Sequence, residues 1–177
     1  ESSHGCSRRS RVSAMTKATS SMPRSCVPTR TRRARQKKGA QDIGRSRGGP
    51  STKVHAVVDA LGNPVRIALS PGQTHEMKLA YELLGDITDA YVAGDSAYDA
   101  APLRAQLESN RCKVVIPSNP TRATQHELDA DLYKERQLVE CFFQRIKRFR
   151  RISMRFEKLA RNFLAFLHLA CVLIWLA

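Results

Sequence analysis

No aspartate or glutamate occurs between residues 2 and 41 of this 177-residue chain. The first fifty residues carry 13 Lys and Arg against two acids, Glu1 and Asp42, and no aromatic residue. Apolar side chains there are scattered among Ser, Thr and Arg, with neither the period of a strand nor that of a helix. Such a stretch cannot bury enough surface to offset the entropy of ordering it. Residues 1–41 are therefore expected to be a basic, low-complexity, disordered tail, still able to neutralise phosphates as an arm. The packed domain is expected over 42–177.

The whole chain has a net charge of +14, which favours a polyanionic partner. Five cysteines, an odd number with no C-x-x-C pair, argue against both a zinc ribbon and a disulfide framework, and fit a reducing cytoplasm. No apolar run near the N-terminus has the form of a secretory signal. The five histidines show no metal-ligand spacing, so no zinc site is assigned. His55 and His168, each amid apolar residues, read as core or edge histidines.

From residue 52 the texture changes. Residues 53–69 read as a β-hairpin around the turn Gly62-Asn63-Pro64. Residues 76–84 have a helical pattern. The run Ala90–Gly94 reads as a buried central strand, 99–109 as a helix and 113–117 as a further buried strand. Strands alternating with helices predict an α/β sheet with some parallel pairing. Residues 117–131 are polar and turn-rich, and 132–150 and 156–176 read as two helices. The apolar end, Phe163–Ala177, spans 15 residues, short of the roughly 20 needed to cross a bilayer. It is expected to be a core helix, with no membrane partner.

Along 132–150, Tyr133, Glu140 and Lys147 repeat every seven residues, and Arg136 precedes Glu140 by four. Two helical turns bring i+7 back to nearly the same azimuth, so these four side chains share a stripe. Val139, Phe142, Phe143, Ile146 and Phe149 form the neighbouring apolar stripe. The helix would fix its apolar side on a sheet and hold Glu140 at the rim of that contact. The plainer reading is an Arg136–Glu140 surface ion pair of about 0.3–0.5 kcal/mol. Asp95 directly follows the Ala90–Gly94 run, at the strand end where α/β proteins place ligands. Its plainer reading is an N-cap or turn aspartate. Together Asp95 and Glu140 are candidate oxygen ligands for a divalent cation. Arg145, Arg148, Arg150, Arg151 and Arg155 follow with no acid among them, and read as a phosphate-contacting surface or a solvated face.

Three blocks carry a family resemblance: GRSRGGPSTKVHAVVDALGNPV at 44–65, GDSAYDA at 94–100 and YKERQLVECFFQRIKRFRRI at 133–152. They resemble the DDE transposases of bacterial insertion sequences, specifically the branch with Tyr-x2-Arg-x3-Glu-x6-Lys, here Tyr133, Arg136, Glu140 and Lys147. The resemblance spans about 37–177. It implies a ribonuclease-H-like fold, a mixed sheet flanked by helices. It makes Asp95 and Glu140 the second and third acids of a triad that holds Mg2+ or Mn2+. It also implies metal-dependent DNA cleavage and strand transfer, with Tyr133, Arg136, Lys147, Arg145, Arg148, Arg150 and Arg151 on DNA phosphates.

The family places its first aspartate on the first strand, shortly before the stretch matching Lys37-Lys38-Gly39-Ala40. This chain has no acid there and no alternating strand to hold one. The first strand is therefore expected to be missing, as in a truncated copy or one whose reading frame is regained near Gln36. Asp42 and Asp59 read as structural. The chain is expected to be a weak or inactive transposase that binds double-stranded DNA, located in the bacterial cytoplasm with the nucleoid. Homo-oligomers, or mixed oligomers with a full-length transposase, are its expected assemblies. The alternative is a non-catalytic DNA-binding remnant that modulates such a full-length copy.

Overall fold

The computed structural model describes residues 10–21, 39–46, 49–75, 77–123 and 125–177, with only the backbone described at 10–21, 45 and 46. The rest of the predicted tail, 1–9 and 22–38, lies outside the described residues.

The predicted hairpin is present. Strands β3 (Gly49–Asp59) and β4 (Pro64–Pro71) pair antiparallel, from Thr52 opposite Pro71 to Val58 opposite Pro64. Asp59 builds the turn: its Oδ1 accepts from the backbone N–H of Leu61 at 2.8 Å and of Asn63 at 2.9 Å. Gly62 takes φ +80° there, a conformation open to glycine. Asp59 is thus structural, as expected. A short strand, β2 (Gly44–Ser46), pairs with the start of β3.

The expected absence of a first strand is corrected. Residues Ser10–Ser21 form β1, which lies in the middle of the sheet. It pairs antiparallel with β3 and parallel with β5 (Ala90–Gly94), and β5 pairs parallel with β6 (Lys113–Val115). The strand order is β4–β3–β1–β5–β6. A strand with main-chain partners on both sides does not depend on its own apolar alternation, so context overrides the local pattern. The tail boundary at 41 therefore does not mark the start of regular structure.

The sheet has a helical layer on each face, sorted by the two-residue alternation of its strands. Val54, Ala56, Val58, Ala93 and Val115 pack with α4 (Gln137–Lys147) and α6 (Ala160–Trp175). Val57, Val92 and Ile116 belong to the other cluster, with Leu83 and Leu84 of α1 (Met77–Leu84) and Leu103 and Leu107 of α2 (Ala101–Ser109).

Several helix expectations need correction. The predicted helix 132–150 is three pieces: α3 (Ala130–Lys134), α4, and α5 (Arg150–Ser153). Between α3 and α4 the backbone tightens, Arg136 N–H bonding to Tyr133 O and Leu138 N–H to Glu135 O, the i,i+3 pattern of a 3-10 turn. The last helix starts at Ala160 because Leu159 is extended, at φ −79° and ψ 131°. It buries Phe163, Leu167, Ala170, Cys171 and Ile174, but Leu169, Val172, Leu173 and Trp175 face solvent, so it is a core helix on one side only. No helix among the described residues is long and apolar enough to cross a membrane. His55 is fully buried, its Nε2 2.9 Å from Ser70 Oγ, whereas His168 is exposed rather than core.

Arg155, read from the sequence as part of a surface, is 1% exposed. Its guanidinium lies over the Phe163 ring, 4.9 Å from the centroid, and donates to the carbonyls of Asp42 and Gln41. Nearby, the Ala160 N–H donates to Ala40 O at 3.0 Å. Burial lowers the Arg155 pKa to about 10, opposed by the charge of Asp42, so the group remains charged at neutral pH.

Candidate functional site

Asp95 stands where β5 ends. Its backbone is still extended, at φ −76° and ψ 157°, so position 95 continues the sheet face of Ala93, the face that carries α4. The carboxylate is exposed. Its Oδ1 accepts from Ser96 N–H at 2.7 Å and caps the short 3-10 helix Ser96–Tyr98. The N-cap role weighed from the sequence is therefore real, and it fixes the side chain.

The second group lies on α3 and α4. Arg136 Nη2 is 2.7 Å from Glu140 Oε1, and the Arg136 guanidinium sits 5.7 Å from the centroid of the Tyr133 ring. The Tyr133, Arg136 and Glu140 stripe thus survives the turn between the helices. Lys147 lies seven residues beyond Glu140 on α4 and is exposed. Val139, Phe142, Phe143 and Ile146 anchor the helix on the sheet. The other flank of α4 meets the β3–β4 turn, where Arg145 Nη2 donates to Gly62 O at 2.7 Å. Arg145 is thereby taken up in a structural contact.

Arg148, Arg150 and Arg151 are exposed. Arg151 lies 3.8 Å from Glu157 and 5.3 Å from the centroid of the Phe166 ring. With Arg155 buried, the basic face consists of Lys147, Arg148, Arg150 and Arg151.

Among the described residues, no group of three or more His, Cys, Asp and Glu could hold a metal ion. Asp95 is engaged as a cap and Glu140 as the partner of Arg136. This donor set does not fit a three-carboxylate metal centre.

Sequence reasoning missed a buried charge cluster beside Asp95. The Asp99 side chain is fully buried, with Arg104 Nε at 2.7 Å, Arg122 Nη1 at 3.3 Å and the Asn119 N–H at 2.8 Å. Burial pushes its carboxyl upward, but the Asn119 N–H and the two guanidinium groups outweigh this and hold it below the usual carboxylate range. Arg104 also reaches Ile116 O. The sequence carried no signal for this cluster, because the partners lie 5 and 23 residues away in unrelated elements.

Comparison with known proteins agrees with the three sequence blocks. Residues 24–175 match the transposase DDE domain family. A protein of Brucella ovis described as a transposase for insertion sequence element IS6501 is 47% identical over 128 residues, covering 71% of this chain and 98% of that protein. The chain belongs to the DDE transposases of bacterial insertion sequences. A Burkholderia cepacia protein described as a transposase for element IS402 is 30% identical over 152 residues, covering 79% of this chain and 69% of its own length. A piggyBac transposase synaptic complex with hairpin DNA, solved by cryo-EM, overlaps 64% of this chain and 24% of its own, with TM-score 0.42 and 9% identity. Strand β1 lies outside the stretch that matches the transposase family.

Proposed function

We propose that this transposase-family chain binds duplex DNA through the exposed face of Lys147, Arg148, Arg150 and Arg151, with Tyr133 and Arg136 beside it. The observation that carries this reading is the clustering of these exposed cations around α4 and α5, on the helix that bears the family motif. Arg and Lys on phosphates position a protein on DNA without reading sequence. The mixed sheet covered by helices on both faces supports a ribonuclease-H-like fold.

Asp95 and Glu140 are the residues this chain would offer to Mg2+ or Mn2+ in DNA cleavage and strand transfer. Among the described residues no third carboxylate joins these two, each of which is already engaged, so they do not complete that chemistry. The chain alone is therefore a DNA binder with little or no cutting activity. A second reading, modulation of a full-length transposase through mixed oligomers, is favoured by the solvent-facing apolar stripe Leu169, Val172, Leu173 and Leu176 on and just after α6.

A gel-shift series over salt concentration tests the binding. If four cations contact phosphates, log affinity should fall with log salt at a slope of about −3.6, and each Arg→Ala substitution should reduce that slope by about one. A salt-independent affinity would refute the reading. Supercoiled plasmid incubated with the chain and Mg2+ or Mn2+ should stay intact. Nicking that disappears in Glu140→Gln would show instead that the chain is a competent nuclease.

A further inference from the structure

A groove of about 260 Å³ opens between α5 and α6. Phe149 stands on its α5 side, and Phe166, Leu169 and Leu173 stand on its α6 side. The three α6 residues are spaced three and four apart, so they share one flank of that helix. Leu169 and Leu173 are 56% and 47% exposed. Arg150 and Arg151 are the charged residues of the lining, and both are exposed. The groove is smaller than the roughly 300–1,000 Å³ of small-ligand sites. It has room for one or two large side chains, the anchors with which an amphipathic helix enters an apolar groove.

The charges decide the occupant. Arg151 reaches Glu157 at 3.8 Å, beyond hydrogen-bond distance, and among the described residues no acid pairs with Arg150. A duplex would meet these arginines with its phosphates and leave the apolar walls against water. A second copy seated here by twofold symmetry would set Arg150 and Arg151 against their own counterparts, and like charges across an interface are unfavourable. A helix with large apolar residues along one face and carboxylates beside them matches both features. Its carboxylates would accept charge-assisted hydrogen bonds from the two guanidinium groups. Val172 and Leu176, which are exposed, lie outside the groove lining, so contacts made there are independent of it.

We propose that this groove docks an acidic amphipathic helix of a protein partner, which takes Arg150 and Arg151 away from DNA. The competition rests on the DNA-binding reading above; the docking does not.

The probe is a fluorescein-labelled synthetic peptide of about 15 residues, long enough for a helix to form in water, with Leu along one face and Glu beside it. Fluorescence anisotropy should show that the full chain binds it, and that the same peptide with Lys in place of Glu binds at least about tenfold more weakly. Arg150→Ala and Arg151→Ala should each weaken the Glu peptide by about fivefold to tenfold. Leu173→Ser should weaken it by a similar factor, while duplex binding stays at the parent level. Leu169→Ser serves if Leu173→Ser fails to fold. Unlabelled Glu peptide should displace a labelled duplex from the parent and not from Leu173→Ser. Equal binding of the Glu and Lys peptides, or parent-like peptide binding in both Leu variants, would overturn the proposal. So would a dimer in sedimentation that Leu173→Ser dissolves, which would make the occupant a second copy. Binding to phosphatidylserine vesicles that the same variant abolishes would also overturn it, in favour of a lipid surface. Peptide and duplex bound at once would overturn the competition. A parent that binds the peptide and no duplex would overturn the DNA-binding reading and leave the docking standing.

Discussion

Deleting residues 1–21 should abolish cooperative thermal unfolding, as followed by circular dichroism or calorimetry. Strand β1 lies between β3 and β5, and among the described strands no direct pairing joins β3 to β5. Without β1 the sheet separates into β2–β3–β4 and β5–β6, each with a newly unpaired edge. Two- and three-strand remnants are marginal by themselves, and their open edges template aggregation. The helical layer would also lose its common base, because Val54, Ala56 and Val58 of β3 and Ala93 of β5 share the cluster that α4 covers. A deletion variant that melts cooperatively at the parent's temperature would remove β1 from the centre of the fold.

Replacing Asp99 with Asn should cost about 3–5 kcal/mol of stability at neutral pH, measured by urea unfolding. The substitution leaves Arg104, 5% exposed, as a buried charge whose carboxylate partner is gone. The pH dependence gives an independent check. The folded-state pKa of Asp99 lies below its ordinary value of 3.8. Its contribution is therefore fully present above that value and is lost as pH falls through the lower folded one. The gap between parent and Asp99→Asn should stay level above about pH 5 and narrow in stronger acid. A gap that persists unchanged in acid would show that the Asp99 charge is not what stabilises the cluster.

These two expectations rest on features that the residue pattern conveyed poorly. The β3–β4 hairpin and β5 were readable because their buried faces alternate or run continuously apolar, and a buried strand must show one or the other. Strand β1 showed neither, since its place depends on neighbours supplied by distant parts of the chain. The Arg136–Glu140 pair was legible because helical spacing dictates it, and the intervening 3-10 turn did not break it. Arg155 and Arg148 look alike in sequence, yet one is buried on backbone carbonyls and the other exposed, a distinction that only tertiary packing makes.

The grip of Arg155 and Ala160 on the carbonyls of residues 40–42 spans 113 to 120 positions along the chain. During synthesis, those carbonyls leave the ribosome long before their donors exist. The 40–42 segment, between β1 and β2, must wait, solvated, until α5 and α6 have been made. Assembly of this layer is therefore a late, whole-chain event, slow in the way that folds rich in distant contacts are slow. Through that interval the sheet face that α6 will later cover stays exposed, the kind of apolar surface on which incompletely folded chains aggregate.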